Sequence, residues 1–214
     1  MGIDTLVESH RRFKEEYGKR YIQLFRELAE KGQAPATLFI SCSDSRVIPN
    51  LITYTRPGDL FVTRNIGNFI PPYEPDMSEH STAAVIEYAL LHLKVENIIV
   101  CGHSYCGACE ALYSDIPDSD EQRNLKEWMR YGQEAKEQAL ALVGEKEKEN
   151  LLRATEKFNI IEQLKHLLSY PAVRERVRAS KLFVMGWYYH IESGELEYFN
   201  PLEYSFVSLE SDNG

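Results

Sequence analysis

Apolar residues in this chain gather in short blocks, and the period of the blocks changes along the sequence. Thr37-Leu-Phe-Ile-Ser41 leads into Cys42, and Asn97-Ile-Ile-Val-Cys101 leads into Gly102-His103. Both blocks are rich in β-branched residues, the first with an aromatic as well, and are bordered by Pro35 or Gly102, so they read as buried strands. Leu60-Phe-Val-Thr63 is a third strand, followed by a loop carrying Pro71, Pro72 and Pro75 and a predicted helix from about Glu79 to Lys94. Strands alternating with helices imply a parallel sheet. Residues 3 to 30 change to helical spacing, with Leu6, His10, Phe13 and Tyr17 on one face and Tyr21, Phe25 and Leu28 on the next, separated near Gly18. Residues 114 to 122 are acidic and turn-rich, and a charged helical segment follows to Asn150, in which Glu145-Lys-Glu-Lys-Glu149 reads as a solvated face. An apolar helix over Leu151 to Leu168 stops before Pro171. A strand over Lys181 to Ile191, a Ser193-Gly194 turn and a strand over Leu196 to Phe199 form a hairpin that adds an antiparallel edge. The expected fold is therefore α/β: a mainly parallel central sheet with an antiparallel edge hairpin, flanking helices and an N-terminal helical arm. Residues 1–32 form the arm, and 33–214 a single domain with a helical insertion around 114–150.

Composition narrows the class. A chain of 214 residues, 43% of them hydrophobic, can bury a full core. Its net charge of −9 opposes a nucleic-acid surface, which needs clustered Lys and Arg. The four Cys are too few for a disulfide framework in a chain this long, and reduced thiols point to the cytoplasm. No apolar run approaches the roughly 18 residues of a membrane span, and the N-terminal segment has no apolar core of signal-peptide type. The Met-Gly start resembles a myristoylation site only superficially, because Leu6 stands where Ser or Thr belongs.

Candidate chemistry sits at the strand ends. Cys42-Ser-Asp44-Ser-Arg46 follows the first strand and His103-Ser-Tyr-Cys106 follows the other. Ligands of open α/β sheets bind beyond the carboxyl ends of the strands, so two parallel strands would bring Cys42, His103 and Cys106 together there. Two thiolates and an imidazole suit zinc, and three protein ligands leave the fourth tetrahedral position open, as in catalytic sites. The fourth protein candidate is Asp44. Gly102 and Gly107 bracket the second group and would let the backbone turn around a metal. A competing arrangement is a local structural knot of Cys101, His103, Cys106 and Cys109 that leaves Cys42 out; otherwise Cys101 is a buried hydrophobe turned away from the His103 loop. A phosphatase-type reading of Cys42 and Arg46 needs a longer loop than the three residues between them.

The runs Cys42-Ser-Asp-Ser-Arg-Val47, Pro57-Gly-Asp-Leu-Phe-Val-Thr-Arg-Asn65 and Gly102-His-Ser-Tyr-Cys-Gly107 resemble those of β-class carbonic anhydrases. The similarity continues through Phe158-Asn-Ile-Ile-Glu-Gln-Leu164, Met185-Gly-Trp-Tyr-Tyr189 and Ile191-Glu-Ser-Gly194, in the style of bacterial members, and departs where Ala108 replaces a second Gly. The resemblance implies Zn2+ on Cys42, His103 and Cys106 and reversible hydration of CO2 to bicarbonate and a proton. Asp44 would either orient the nucleophile or ligate the metal and shut the site, with Arg46 deciding between the two by pairing with the carboxylate. The two thiolates would soften the metal's effect on bound water and move activity toward alkaline pH. Gln33 would donate to bicarbonate, and Phe61, Ile66 and Tyr88 would line the CO2 pocket, Gln and Tyr of this kind reaching the metal across a dimer interface. The implied partners are CO2 and bicarbonate and a second copy, as a homodimer or dimer of dimers through the N-terminal arm, with no nucleic acid and no membrane. Arg64 and Phe39 bear on regulation: bicarbonate-inhibited members carry Trp where this chain has Phe39, so that anion site is incomplete. His92, four residues after Tyr88 on one helix, is the candidate proton relay, ahead of His80 and His190. Two rival functions share the motifs: a zinc hydrolase acting on CS2 or COS, and a non-catalytic zinc-stabilised assembly subunit.

Overall fold

Two helices precede the sheet, α1 (Ile3–Glu15) and α2 (Tyr17–Lys31). The computed structural model describes residues 2–74, 80–145 and 147–209. The helices separate at Glu16 (φ −96°, ψ −68°), and Gly18 lies inside α2, so the expected break at Gly18 is displaced by two residues. Helix α2 ends where Gly32 takes φ 80°, a conformation glycine adopts without Cβ strain. Neither helix has a buried residue, and Ile3, Leu6, Val7 and Phe13 leave an apolar face of α1 exposed.

The strands over Thr37–Cys42 and Asn97–His103 are near-continuous apolar runs because both their faces are covered. Strand β1 (Thr37–Cys42) is followed by the one-turn helix α3 (Pro49–Ile52), then β2 (Leu60–Asn65). Helix α4 (Ser81–Tyr88) widens into a π turn over Ala89–Leu93, which Lys94 closes in the left-handed conformation. This matches the predicted helix, whose first residue, Glu79, lies outside the described residues, as do Pro75 and Lys146. Strand β3 (Asn97–His103) leads to the short helix α5 (Gly107–Ala111). The insertion holds α6 (Arg123–Met129), a 3-10 turn over Arg130–Gly132 and α7 (Gln133–Val143). Gly144 at φ 74° stops α7, so the charged segment does not run on to Asn150; that residue belongs to α8 (Lys148–Ser169).

Pro171 does stop α8, and it also opens α9 (Pro171–Arg178), which the sequence reading omitted. Proline at the first helical position lacks only an N–H that the helix would leave unpaired, and extended Tyr170 before it supplies the corner. Strands β4 (Phe183–Tyr189) and β5 (Leu196–Asn200) form the expected antiparallel hairpin, and an unanticipated β6 (Ser205–Ser208) extends it. The sheet order is β2-β1-β3-β4-β5-β6, parallel from β2 to β4.

Helix α8 lies across one face of the sheet so closely that a Cβ on Gly102 would come 2.7 Å from Ile160 Cγ1, and one on Gly186 2.6 Å from Ile160 Cγ2. Leu38, Ile40, Ile98 and Val100 pack on this side with Ile86, Leu90, Leu167 and Val173. On the opposite face Phe39, Ile99 and Cys101 are buried with Val62 and Trp187, the Phe39 and Trp187 rings meeting edge-on at 6.0 Å. Further along that face Phe183 is 64% exposed. Among the described residues no helix is long and apolar enough to cross a membrane.

Candidate metal centre

Parallel pairing of β1 with β3 sets Ser41 opposite Cys101, so the two strands run out side by side. Cys42 ends β1, His103 ends β3, and Cys106 caps α5 after a tight turn. The three donor atoms lie within 4.8 Å of one another, and all three residues are buried. Neither bracketing glycine makes the turn: Tyr105 does, at φ 56°. Gly102 is required instead by the approach of Ile160, and Gly107 has open space where a Cβ would stand.

His103 Nδ1 lies 2.8 Å from the Ser104 carbonyl oxygen, which can only accept, so Nδ1 carries the proton and Nε2 the free lone pair. Nε2 is buried with no hydrogen-bond partner. A buried lone pair facing two sulfur atoms is a donor set that zinc satisfies. Without a metal the thiols keep their protons: contact with Cys106, reinforced by burial, pushes Cys42 up to about 12, and contact with Cys109, with burial, raises Cys106. Metal uptake would therefore release protons. The local knot is not assembled, because Cys101 packs with Phe39 and Ile99, and the donor group comprises Cys42, His103 and Cys106. Cys109 is buried behind Cys106.

Asp44 and Arg46 form a two-pronged pair, Nε to Oδ1 at 2.9 Å and Nη2 to Oδ2 at 2.7 Å, and the Arg46 amide also donates to Oδ1 at 3.0 Å. The guanidinium holds the carboxyl well below the usual range. Arg46 Nη2 reaches the Tyr105 carbonyl at 3.0 Å, tying the loop after β1 to the loop after β3. Arg64 on β2 donates to the carbonyls of Cys42 (3.0 Å) and Asp44 (2.6 Å), so its contacts here are to the backbone of the metal loop.

The remaining candidates divide by position along the strands. Ile66 follows Asn65, the partner of Cys42, and so stands at the metal end. Phe61 pairs with Leu38, four residues and about 13 Å before Cys42. The Tyr88 ring lies 5.8 Å from Phe61 and 5.0 Å from His92, and Gln33 is exposed ahead of β1. One chain thus brings Asp44, Arg46 and Ile66 to the metal ligands and leaves Gln33, Phe61, Tyr88 and His92 elsewhere. His80 packs edge-on against Tyr131, and His190 stands between Glu192 and Glu197.

The sequence reading missed Glu156. This buried carboxylate on α8 accepts from the Cys106 amide (2.9 Å), the Arg153 guanidinium (2.8 Å) and the Tyr188 hydroxyl (2.7 Å), and burial, partly offset by these donors, raises its pKa to about 7. The available signal was a Glu at helical spacing with Ile160 and Gln163 on an inward face, where an unpaired charge is not tolerated.

The carbonic anhydrase family model matches residues 37–196. The chain belongs to the β-class carbonic anhydrases. It is 39% identical over 209 residues to a carbonic anhydrase of Synechocystis sp., spanning 98% of this chain and 75% of that protein. It is likewise 39% identical over 204 residues to one of Helicobacter pylori, spanning 92% of this chain and 90% of that protein. Among solved structures it is similar to the β-carbonic anhydrase CcaA, with a TM-score of 0.89 and 39% identity over 96% of this chain and 91% of that one. It also matches a β-carbonic anhydrase of Sordaria macrospora, one of two described as tetrameric, with a TM-score of 0.79 and 31% identity over 92% of this chain and 98% of that one. Hydration of CO2 is the general reaction of the family to which this enzyme belongs.

Proposed function

We propose that this chain catalyses reversible hydration of CO2 to bicarbonate and a proton with zinc held by Cys42, His103 and Cys106. The observation that carries the reading is the buried triad of donor atoms within 4.8 Å, with His103 Nε2 left without a partner. When bound there, zinc supplies Lewis acidity, which lowers the pKa of a coordinated water from about 16 toward about 7 and makes a nucleophile available near neutrality. Asp44 would orient the nucleophile as a hydrogen-bond acceptor, and its fork with Arg46 would hold the carboxylate away from the three ligand residues. Arg64 and Glu156 brace the backbone of the two ligand loops.

Ile66 supplies the apolar wall beside the ligands. Phe61 stands about 13 Å before Cys42 along the paired strands, with Tyr88 against it, and Gln33 precedes the start of β1, so these side chains would serve as substrate groups at the metal site of a second copy. The exposed apolar face of α1 and the open sheet face at Phe183 are surfaces such a copy would cover, in a homodimer or dimer of dimers joined through the N-terminal arm. In this reading residues 1–32 are the arm and 33–214 the catalytic domain. His92, exposed and stacked on Tyr88, would pass protons to solvent. Four cysteines without disulfides suit the reducing cytoplasm.

Metal analysis of the purified protein combined with stopped-flow CO2 hydration tests the proposal. The expected result is about one zinc per chain, with activity lost on chelation and restored by zinc. Zinc-loaded protein that leaves CO2 untouched overturns it.

A further inference from the structure

The insertion between α5 and α8 has no assigned task, yet it forms the wall behind the thiols. Met129 and Tyr131 are buried in one cluster with Cys42, Cys106 and Cys109. Trp128 packs on Phe69 of that cluster, ring centroids 6.4 Å apart, and edge-on to Tyr131 at 5.3 Å. Its indole Nε1–H donates to the backbone carbonyl of Ile66 at 2.8 Å. Ile66 is one peptide bond beyond the residue paired with Cys42, and that residue's carbonyl accepts from the Ser43 amide at 2.8 Å. On the far side of the same short turn, Gly67 packs so tightly that a Cβ would lie 2.8 Å from the Phe69 ring. Ile66 itself is 44% exposed. The backbone at this point is therefore gripped on three sides, by strand pairing, by the close approach at Gly67 and by an indole from the insertion, while its side chain faces open space at the metal end.

We infer that Trp128 is a positioning residue for the substrate: its indole N–H fixes the Ile66 peptide and so aims the Ile66 side chain at the place where CO2 is attacked. CO2 is small and apolar, so the shape of the apolar wall decides how it lies, and misplacing it by an ångström slows its attack, a loss that is read in kcat/KM while proton release limits kcat. The inference rests on the reading of Ile66 as that wall.

Trp128→Phe retains a ring against Phe69 and Tyr131 and removes the donor. Its KM for CO2 should rise about fivefold, the effect of one net hydrogen bond, with kcat and zinc content within about twofold of the parent. Replacing the indole by the equally shaped benzothiophene, through 3-benzothienylalanine at position 128, should reproduce the rise with the melting temperature unchanged. Ile66→Ala, measured alongside, should raise KM as well. A raised KM in Ile66→Ala with none in either Trp128 variant overturns the inference and leaves the reading of Ile66 standing. An unchanged KM in Ile66→Ala removes that reading, and the inference with it. Zinc loss or parallel loss of kcat in both Trp128 variants would make Trp128 a structural support of the metal wall, which also overturns the inference.

Discussion

Adding one methyl group at Gly102 tests how the metal loop is held. The new Cβ of Gly102→Ala would stand 2.7 Å from Ile160 Cγ1 and 2.8 Å from Cδ1, where carbon atoms pack at about 3.5–4.0 Å. Ile160 is fully buried, so the methyl has no free volume to enter, and either Ile160 leaves its rotamer or α8 moves outward. Overpacking of this kind costs about 1–3 kcal/mol. For a chain of this size, 2 kcal/mol corresponds to a fall in Tm of roughly 4–8 °C. Glu156 precedes Ile160 by one helical turn and accepts the Cys106 amide, so displacement of α8 should also speed zinc release. Gly107→Ala is the control, because nothing lies within 4 Å of its Cβ and Ala suits a helix start better than Gly. Calorimetry of the zinc-loaded proteins, with zinc release to a chromogenic chelator, reads both effects. Ile160→Ala alone should cost about 2–5 kcal/mol, yet Gly102→Ala/Ile160→Ala should be more stable than the sum of the single changes by about 1 kcal/mol or more. A Gly102→Ala protein that melts with the parent, or strictly additive costs in the double variant, would refute the account of Gly102 as a packing position.

Cys42→Ser should lose most of its zinc and essentially all turnover, whereas Cys109→Ser should keep both, as metal analysis and stopped-flow rates will show; zinc loss in the second would restore the local knot. Arg46→Ala should free Asp44 to ligate the metal, lowering activity with zinc retained, and X-ray absorption showing unchanged coordination at undiminished rate would reject the gate. Glu156→Ala strands the Cys106 amide, the Arg153 guanidinium and the Tyr188 hydroxyl, and urea unfolding should record a loss of about 3–5 kcal/mol, much of it recovered in Glu156→Gln, which keeps an acceptor. His92→Ala should depress kcat in dilute buffer and recover with added imidazole while kcat/KM holds; equal kcat at low buffer would place the relay elsewhere.

Local signals in the chain were sufficient for β1 to β5 and for the Cys and His side chains gathered at the ends of β1 and β3. The blocks at Thr37–Ser41 and Asn97–Cys101 carry β-branched residues that suit a pleated, buried surface, and the ligands follow within a few residues. The Asp44–Arg46 fork was legible for the same reason, since two side chains two positions apart in one loop need no distant partner. Elements with weak local character escaped: β6 spans Ser205–Ser208, too short to show alternation, and Pro171 signalled an end while also serving as a beginning. What only the tertiary structure decided concerns groups whose partners lie far along the chain. Gly102 looked like a turn residue and is a packing residue, because Ile160 crosses β3 there, and the strained turn falls on Tyr105. Glu156 and Trp128 gain their meaning from Cys106 and Ile66, 50 and 62 positions away. Strand register, likewise, sets Ile66 beside the ligands and Phe61 four residues short of them. Hydrophobic period reports which face of an element is buried, but which residue meets it is chosen by the packing of whole elements, and that choice is written in no single segment.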